Sequence, residues 1–511
     1  MNRGELQRRA ASGTAWTMVH TLISLPIAFI MNVVLARVLG VVDYGRLAFL
    51  SSVMDIAGVI VSLGVGAAVV QFGAKAHAAG RADEVRALLS RSTGFRLLVV
   101  APVITVIVAF LADVPAALLV CAIVFGVWLP AAGESASAAL TVENRTATDA
   151  KLEMVVNLIG QGAVLVALFT LASADSVWNA RLIVAGIAAF AAVPLIDRRY
   201  RTATIRPRLP RGFPPGFWRF AIPTGLSGIV STLALSRSEV VLLQWLSDPA
   251  EVGLYAMAFG LATHLFAPAQ ALVNPLLPAI SSLWEVDKDA VGRAFTRTLR
   301  TLATIIALLM AAAGPMLALL VPLLYGAAFA DAQSIVLVLM MTAGITLLAT
   351  PMTAFVSARL RGFSLLRANV VALVVDLAVA LSLIPVLGAW GAVAAKGGVG
   401  LVRLLWYLLT EQASFRTSVR DTLVATTPAW SGILAGVAGY GVGAAINAPV
   451  LVGAAVGTLV GASLLVALLA LTRTGLTARD AAVVVDVLPA RARRVATLLA
   501  RPLTFARDSV A

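Results

Sequence analysis

The chain has 511 residues, of which 60% are hydrophobic and 13% charged, with a mean hydropathy of +0.95 and a formal net charge of +14. Soluble domains are about 45–50% apolar and about 25% charged, so the composition excludes a soluble multidomain enzyme. Apolar runs recur from end to end, and each is long enough to cross about 30 Å of hydrocarbon as a helix. The sequence therefore predicts an all-α, polytopic membrane protein.

Fourteen segments are predicted to span the membrane. In chain order they are 15–39, 47–72, 93–112, 115–139, 150–172, 177–196, 217–246, 253–280, 299–323, 333–357, 364–386, 389–411, 428–447 and 450–471. The first run is too long for the apolar part of a signal peptide, so it is interpreted as a membrane helix. The remaining segments are short, which leaves no room for a soluble catalytic domain.

A basic, Pro-rich stretch between the sixth and seventh spans divides the chain into two predicted lobes. The predicted regions are an interfacial segment at 1–14, an N-lobe at 15–197, a basic linker at 198–216, a C-lobe at 217–411, two extra spans at 428–471 and a basic amphipathic tail at 472–511. Each lobe then contains six helices, and the last two spans are an appendage.

The two lobes resemble each other in sequence. "LARVLGVVDYGRLAF" (35–49) follows the first span and "LLQWLSDPAEVGLYAMAF" (242–259) follows the seventh. Further on, "DEVRALLSRST" (83–93) corresponds to "DAVGRAFTRTL" (289–299). The nearly constant offset predicts a parallel repeat of six helices, related about an axis along the membrane normal.

Most of the positive charge is predicted to lie on one side of the membrane. If the N-terminus is cytoplasmic, 33 of the 39 Lys and Arg residues fall in cytoplasmic segments. This asymmetry predicts cytoplasmic N- and C-termini. Basic loops beside anionic headgroups explain the net charge, so we expect membrane lipids as partners and no nucleic acid.

Motifs for bound cofactors or covalent catalysis are missing from the sequence. There is no GxxxxGK[ST] phosphate-binding loop, no HExxH and no GxSxG. His20, His77 and His264 are far apart along the chain, and Cys121 is the only cysteine. We therefore expect no cofactor, no metal site and no catalytic residues. An intramembrane glycosyl- or acyltransferase, acting through buried polar residues, stays open as an alternative.

Two charges stand in the seventh span, within "STLALSRSEVVLLQWL" (231–246). A charge near the bilayer centre costs about 2.5–3.5 kcal/mol on insertion scales, so Arg237 and Glu239 are candidate functional residues. On an ideal helix they point about 200° apart, so they do not pair with each other. Each is expected to line a hydrated cavity or to form a structural ion pair with another helix.

The twelfth span contains two further cations. Lys396 and Arg403 are seven residues apart, which places them on one helix face. Asp376 in the eleventh span is the expected neutralising partner for one of them. A cationic cavity wall and a structural ion pair are both open interpretations.

Other polar side chains lie at corresponding depths of related spans. Asp55 in the second span corresponds closely to His264 in the eighth, which also contains Gln270 and Asn274 among several prolines. The prolines predict a kinked or broken eighth span. Asn32 lies in the first span. A role in packing or interhelical hydrogen bonds is the alternative for each of them.

The last two spans are rich in glycine at four-residue spacing. Small residues spaced in this way let helices approach closely, so we interpret them as a packing feature. They are Gly432, Gly436 and Gly439 in the thirteenth span and Gly453, Gly457 and Gly461 in the fourteenth.

With lobes and charges assigned, the chain resembles the Wzx-type polysaccharide flippases of the multidrug/oligosaccharidyl-lipid/polysaccharide (MOP) exporter superfamily. The resemblance is carried by "ARVLGVVDYGRLAF" after the first span, "PLLYGAAFADAQSIVLVLM" (322–340) and "RLRGFSLLRANVVALVVDLAVALSLIPVLGAWGAVAA" (359–395). Each motif is degenerate, and the specificity comes from their order and spacing over almost the whole chain.

The resemblance implies two six-helix lobes around a central cavity, and export of a polyprenyl-pyrophosphate-linked glycan by alternating access in the bacterial cytoplasmic membrane. It implies that Arg237, Lys396 and Arg403 receive the anionic headgroup. A fixed positive charge would offset the cost of moving such a group through a low-dielectric interior. Polysaccharide polymerases or glycosyltransferases would be partners.

The same resemblance implies a role in ion coupling for the acidic residues inside the spans. Asp55, Glu239 and Asp376 are candidates for binding a coupling H⁺ or Na⁺, because the sequence has no nucleotide site. Two functions of related proteins stay open. Lipid II flippases have fourteen spans, but their Ser-Arg signature in the first span is missing here. Drug antiporters usually have twelve spans and lack the "LGVVDYG" turn.

Overall fold

The computed structural model describes residues 3–271, 287–359, 362–415, 417–487, 493, 497 and 501–505. Within these ranges the chain forms helices joined by short turns. Two compact units are present, residues 1–244 and residues 245–511. The division lies in the seventh predicted span, so residues 217–244 belong to the first unit.

The first unit consists of eleven helices. They are α1 (Arg3–Ser62), α2 (Val65–Ala78), α3 (Ala82–Phe95), α4 (Ala101–Leu111), α5 (Ala116–Cys121), α6 (Leu129–Val142), α7 (Thr146–Leu171), α8 (Ala174–Ala188), α9 (Arg198–Ile205), α10 (Phe217–Thr232) and α11 (Ser238–Leu246), the last of which crosses the boundary between the units. Single π-helical turns join α3 to α4, α5 to α6 and α10 to α11.

The first two predicted spans are not separate helices by hydrogen-bond pattern. They run together as α1, but Gly40 inside α1 has φ 73° and ψ −179°, which is not helical and marks a kink between them. A second break follows at Leu63 (φ 34°) and Gly64 (φ 69°), where α2 begins. At that break a Cβ on Gly64 would lie 2.1 Å from the carbonyl oxygen of Ala221, so α10 packs backbone to backbone against it.

The basic linker is packed against the first unit. The backbone N–H of Arg208 donates to the carbonyl of Ser90 at 3.0 Å, and the Arg91 guanidinium donates to the carbonyl of Gly212. A Cβ on Gly94 would lie 1.8 Å from the carbonyl oxygen of Arg208, so only glycine fits there. The linker is therefore an integral part of the first unit.

The second unit has nine described helices that lie entirely within it. They are α12 (Pro249–Ala271), α13 (Lys288–Leu308), α14 (Gly314–Tyr325), α15 (Ala332–Ala358), α16 (Gly362–Leu387), α17 (Ala389–Thr410), α18 (Val419–Ala445), α19 (Val450–Thr472) and α20 (Ala478–Val487). A π-helical turn joins α13 to α14. Helix α17 packs against α12, α15 and α16, and the pair α18 and α19 packs against α13 and α14.

The glycines of the last two spans lie at the helix contacts, as predicted. A Cβ on Gly439 would lie 2.4 Å from the carbonyl oxygen of Gly457, and one on Gly461 would lie 2.0 Å from that of Ala311. Real Cβ contacts are longer, so these positions admit glycine alone without movement of the backbone. The glycines let α18 and α19 approach each other and let α19 approach the π-helical turn after α13.

The start of the C-terminal tail is docked on the second unit. The Asp480 carboxylate, with a side chain only 1% exposed, accepts hydrogen bonds from Arg297 and Arg300 on α13. Leu503 packs with Leu465 and Leu469 of α19, and its carbonyl accepts from the Leu476 N–H at 2.9 Å. Within the predicted amphipathic tail 472–511, residues 488–492, 494–496, 498–500 and 506–511 lie outside the described part of the structure.

The predicted all-α membrane fold is confirmed, whereas the count of fourteen spans is not. Within the described residues, eleven helical stretches are long and apolar enough to cross a membrane, or twelve if the bent pair α10 and α11 is one span. One of these stretches, Val19–Ala78, runs from α1 to the end of α2 and contains both of the first two predicted spans. Helix α18, at the thirteenth predicted span, does not meet the criterion.

Candidate functional site

The two predicted cations of the twelfth span are both buried in the second unit. Lys396 is 4% exposed and Arg403 is 7% exposed, and both lie on α17. The Lys396 Nζ lies 5.4 Å from the ring centroid of Phe259 on α12, within the range of a cation–π contact. This helix face therefore places two positive charges in the interior of the unit.

Arg403 has few polar contacts for a buried guanidinium. Its Nη2 donates to Thr353 Oγ1 at a long 3.4 Å, and Thr353 Oγ1 in turn lies 3.4 Å from the Tyr407 hydroxyl. Among the described residues, no carboxylate lies within 4.0 Å of Arg403 and its Nε has no hydrogen-bond partner. A buried cation without a counter-ion is costly, so this group is available to an anion.

The predicted acidic partners are also buried. Asp376 on α16 and Glu239 on α11 are both 0% exposed. Helix α16 packs directly against α17, so the eleventh and twelfth spans are neighbours as the predicted ion pair requires. An ionised carboxylate at either position would have to be compensated inside the protein.

Arg237 lies at the end of the π-helical turn Leu233–Arg237, where the axes of the helices on either side differ by 53°. Its side chain lies outside the described part of the structure. The Ser238 hydroxyl donates to the carbonyl of Leu233 at 2.8 Å, five residues earlier. An ideal α-helical projection therefore does not hold through this turn.

In the first unit, the predicted residues Asn32 and Asp55 each interact with a residue that was not predicted, Tyr44 or Arg181. Asn32 Nδ2 donates to the hydroxyl of buried Tyr44 at 2.7 Å. Arg181 on α8 interacts electrostatically with both Tyr44 and Asp55, and Asp55 is exposed. Arg181 was not among the predicted site residues. Its position five residues inside the predicted span 177–196 was the signal for this cluster.

The predicted polar residues of the eighth span are not brought together by the described part of α12. His264 Nδ1 lies 2.6 Å from the carbonyl oxygen of Gly260, one turn earlier in its own helix. Gln270 is exposed, and Asn274 lies outside the described residues. His264 is thus occupied by a local backbone contact.

A second missed pair lies at the start of the third span. Arg96, 0% exposed, donates from Nη2 to Glu134 Oε1 at 3.0 Å. Neither residue was among the predicted site residues. Both lie inside predicted spans, at 93–112 and 115–139, and an ionisable residue inside a span was the available signal.

The turn between the first two spans is anchored by Arg46. Its Nε donates to Asp175 Oδ1 at 2.7 Å, and its Nη2 donates to the carbonyl oxygen of Asp113 at 3.3 Å. In the second unit the corresponding turn is anchored differently, because Glu251 Oε2 accepts from the N–H of Ala389 at 2.8 Å. In each unit, a side chain just before the second span of the predicted repeat is therefore bonded to the start of the sixth.

In the described part of the chain, no three His, Cys, Asp or Glu side chains converge as a metal site would require. The buried cations and carboxylates of the described residues are instead distributed over several spans. Such groups can bind and release charged ligands or protons.

Comparisons with known proteins identify a family and a membrane-transporter fold. A family model described as "Polysaccharide biosynthesis protein" matches residues 10–284, just over half of the chain. A search of curated proteins found no match. Among solved structures, the lipid II flippase MurJ in an inward closed conformation matches with a TM-score of 0.66 and 13% identity, covering 89% of this chain and 98% of that one.

Two transporters of the multidrug resistance MATE family also match. One, in an inward-facing conformation and assigned to the MOP superfamily, has a TM-score of 0.57 and 15% identity, covering 80% of this chain and 99% of that one. The other, VcmN from Vibrio cholerae in the bent form, has a TM-score of 0.50 and 16% identity, covering 82% and 99%. The chain therefore belongs to the polysaccharide biosynthesis protein family and has the fold of the MOP-superfamily transporters.

Proposed function

We propose that this protein is a flippase that moves a polyprenyl-pyrophosphate-linked oligosaccharide across the bacterial cytoplasmic membrane for cell-surface polysaccharide synthesis. The carrying observation is Arg403, a buried guanidinium with one long hydroxyl contact and no carboxylate within 4.0 Å among the described residues. A guanidinium binds phosphate oxygens in a bidentate manner. An arriving pyrophosphate would supply the missing counter-ion.

The mechanism is alternating access by the two predicted lobes, 15–197 and 217–411, around a central cavity. Lys396 and Arg403 lie on one face of α17 and would follow the headgroup together as that helix moves. Arg237 is the third proposed contact, on the seventh span. The glycan would travel in the hydrated cavity while the polyprenyl chain stays in lipid, and no covalent step is needed.

Coupling to an ion gradient is part of the same proposal. Buried Glu239 and Asp376, and the more exposed Asp55, offer carboxylates inside predicted spans that can take up H⁺ or Na⁺. His264, Asn32, Gln270 and Asn274 remain proposed as secondary cavity residues. The N- and C-termini are placed in the cytoplasm on the distribution of Lys and Arg. The enzymes that assemble and polymerise the glycan are the proposed partners.

The test is flipping in proteoliposomes that contain a short-chain polyprenyl-pyrophosphate-linked disaccharide, with lectin accessibility of the sugar as the readout. We expect Arg403→Ala to lower the initial rate by at least about tenfold, because a lost contact to a desolvated charge costs about 2 kcal/mol or more. The flipping rate of Arg403→Lys should lie between those of the wild type and Arg403→Ala, since lysine retains the charge and loses the bidentate geometry.

The matched control is Arg420→Ala, which removes an exposed arginine from the same unit. It should flip at the wild-type rate. Equal rates for Arg403→Ala and wild type would refute the assignment of Arg403. Transport of ethidium, with no flipping of the glycolipid, would support a drug antiporter instead, and sugar transfer to a lipid acceptor would support an enzyme.

A further inference from the structure

The ion pair between Arg96 and Glu134 has an unusual division of exposure. Arg96 is 0% exposed, whereas the side chain of Glu134 is 38% exposed. Both residues lie within apolar helical stretches long enough to span a membrane, Ala82–Leu111 and Ala116–Val142. A carboxylate that is open at such a position faces water in a cavity more favourably than lipid. The Arg96 guanidinium is therefore fixed inside the protein, whereas the Glu134 carboxylate is partly exposed.

The other polar groups around Arg96 are hydroxyls. Its Nη1 lies 3.4 Å from Ser135 Oγ, and Thr93 Oγ1 donates to the same oxygen at 2.7 Å. The Ser92 hydroxyl lies 3.1 Å from Ser135 Oγ. These neighbours on α3 and α6 are neutral. Among the described residues Glu134 is the one carboxylate within 4.0 Å of Arg96, and the Nε of Arg96 has no hydrogen-bond partner.

The same carboxylate lies beside the first turn of α2. A Cβ built on Gly66 would be 3.3 Å from Glu134 Oε1 and 3.4 Å from Arg96 Nη2. Helix α2 begins at Val65, directly after the break at Leu63 and Gly64. Its first N–H groups have no intrahelical acceptor, and the helix dipole adds positive potential there. Arg96 and this helix start both favour an anion in the position that Glu134 occupies.

We infer that Arg96 and the first turn of α2 form a second anion site, which Glu134 fills in this structure and which the phosphate oxygens of a pyrophosphate group can fill in its place. The inference rests on the flippase function proposed above and adds a position to its substrate path. Arg96 cannot remain unpaired in the interior, because an uncompensated buried charge costs several kcal/mol. The incoming phosphate and the departing carboxylate therefore exchange, and the return of Glu134 helps to release the substrate.

The inference is tested by binding to the purified full-length protein in nanodiscs, in an Arg403→Ala background that removes the anion site of the second unit. The probes are inorganic pyrophosphate, farnesyl pyrophosphate and farnesol, measured by isothermal titration calorimetry. Because Glu134→Gln removes the competing carboxylate, we expect pyrophosphate-containing probes to bind at least about fivefold more tightly. Adding Arg96→Lys to Glu134→Gln should abolish most of that gain, since the bidentate donor is lost.

Glu153→Gln is the matched control, because the Glu153 side chain on α7 is 61% exposed. It should leave the affinities unchanged. A gain with both pyrophosphate probes supports a site for the phosphate group itself, and a gain with farnesyl pyrophosphate alone supports a site that also requires the lipid. An unchanged or weaker affinity of a folded Glu134→Gln protein for both probes overturns the inference.

The two proposals can fail separately. If the wild-type protein flips the glycolipid but Glu134→Gln shows no gain, the anion site at Arg96 is wrong and the flippase function stands. If the gain is present and the protein does not flip the glycolipid, the anion site stands and its ligand is a different phosphate compound.

Discussion

The contact between the tail and the second unit gives the most quantitative prediction. The Asp480 carboxylate is 1% exposed and pairs with Arg297 and Arg300, whose side chains are 44% and 20% exposed. It also takes part in a capping box, because the N–H of Thr477 lies 3.4 Å from Asp480 Oδ2 and the backbone N–H of Asp480 donates to Thr477 Oγ1 at 3.1 Å. Replacing Asp480 by Ala removes both ion pairs and the contact with the Thr477 N–H, and leaves the bond to Thr477 Oγ1 in place.

The cost of that replacement can be estimated from the contacts. A hydrogen bond to a charged group contributes about 1.5–3 kcal/mol, which applies to the well-buried Arg300. The pair with the more exposed Arg297 contributes little, since water screens it. The long hydrogen bond from the Thr477 N–H to the carboxylate contributes about 0.5–1 kcal/mol more. The sum is about 3 kcal/mol, which corresponds to about 10²-fold more frequent release of the tail.

The assay uses the thiol of Leu476→Cys, a buried position whose N–H is bonded to Leu503, in a Cys121→Ser background. We expect Asp480→Ala to increase the rate of maleimide labelling about 10²-fold, and Asp480→Asn to increase it less because one acceptor oxygen remains. Arg479→Ala, at an exposed neighbour, is the control and should label at the reference rate. Labelling of Asp480→Ala within twofold of the reference would refute the reasoning.

Two further predictions follow from the same unit. Burial alone would raise the pKa of Asp480, but the hydrogen bonds and charge of Arg300, together with hydrogen bonds from Arg297 and Thr477, hold it below its usual range. Docking stability is therefore fully present above the pKa of the free carboxyl and is lost as pH falls through the lower docked value. The protection of the Leu476 amide from hydrogen exchange, taken relative to the intrinsic rate at each pH, should fall only in that acidic window. In the glycine contact, Gly461→Ala places a Cβ 2.0 Å from a carbonyl oxygen, whereas Gly441→Ala has nothing within 4 Å. Overpacking costs about 1–3 kcal/mol, so Gly461→Ala should lower the thermal midpoint by at least about 2 °C relative to Gly441→Ala, and equal midpoints would contradict the close approach of α19.

Local sequence signals predicted the parts of the molecule that depend on helix periodicity. The seven-residue spacing of Lys396 and Arg403 placed them on one face of α17, and both are buried. The glycine spacing in the last two spans predicted a close helix contact, which the positions of Gly439 and Gly461 confirm. In each case the relevant geometry lies within one helix, so residue spacing was sufficient.

An ideal helical projection does not hold where the helix itself is irregular. A projection of the seventh span assumes about 3.6 residues per turn, but the π-helical turn at Leu233–Arg237 changes the rotation per residue. Irregular geometry also affects the number of spans, because the kink at Gly40 lies inside one continuous hydrogen-bonded helix that contains the end of one predicted span and the start of the next. Neither irregularity has a sequence signal as strong as a proline.

Hydropathy therefore determined the class of protein, because burial in lipid constrains every span independently of its neighbours. Tertiary structure alone decided which charges meet. Arg96 pairs with Glu134 across 38 residues, Arg46 with Asp175 across 129, and Arg300 with Asp480 across 180. Such pairs depend on which helices pack side by side. A charge inside a span signals that a partner or water is required, and only the packing of the helices identifies which.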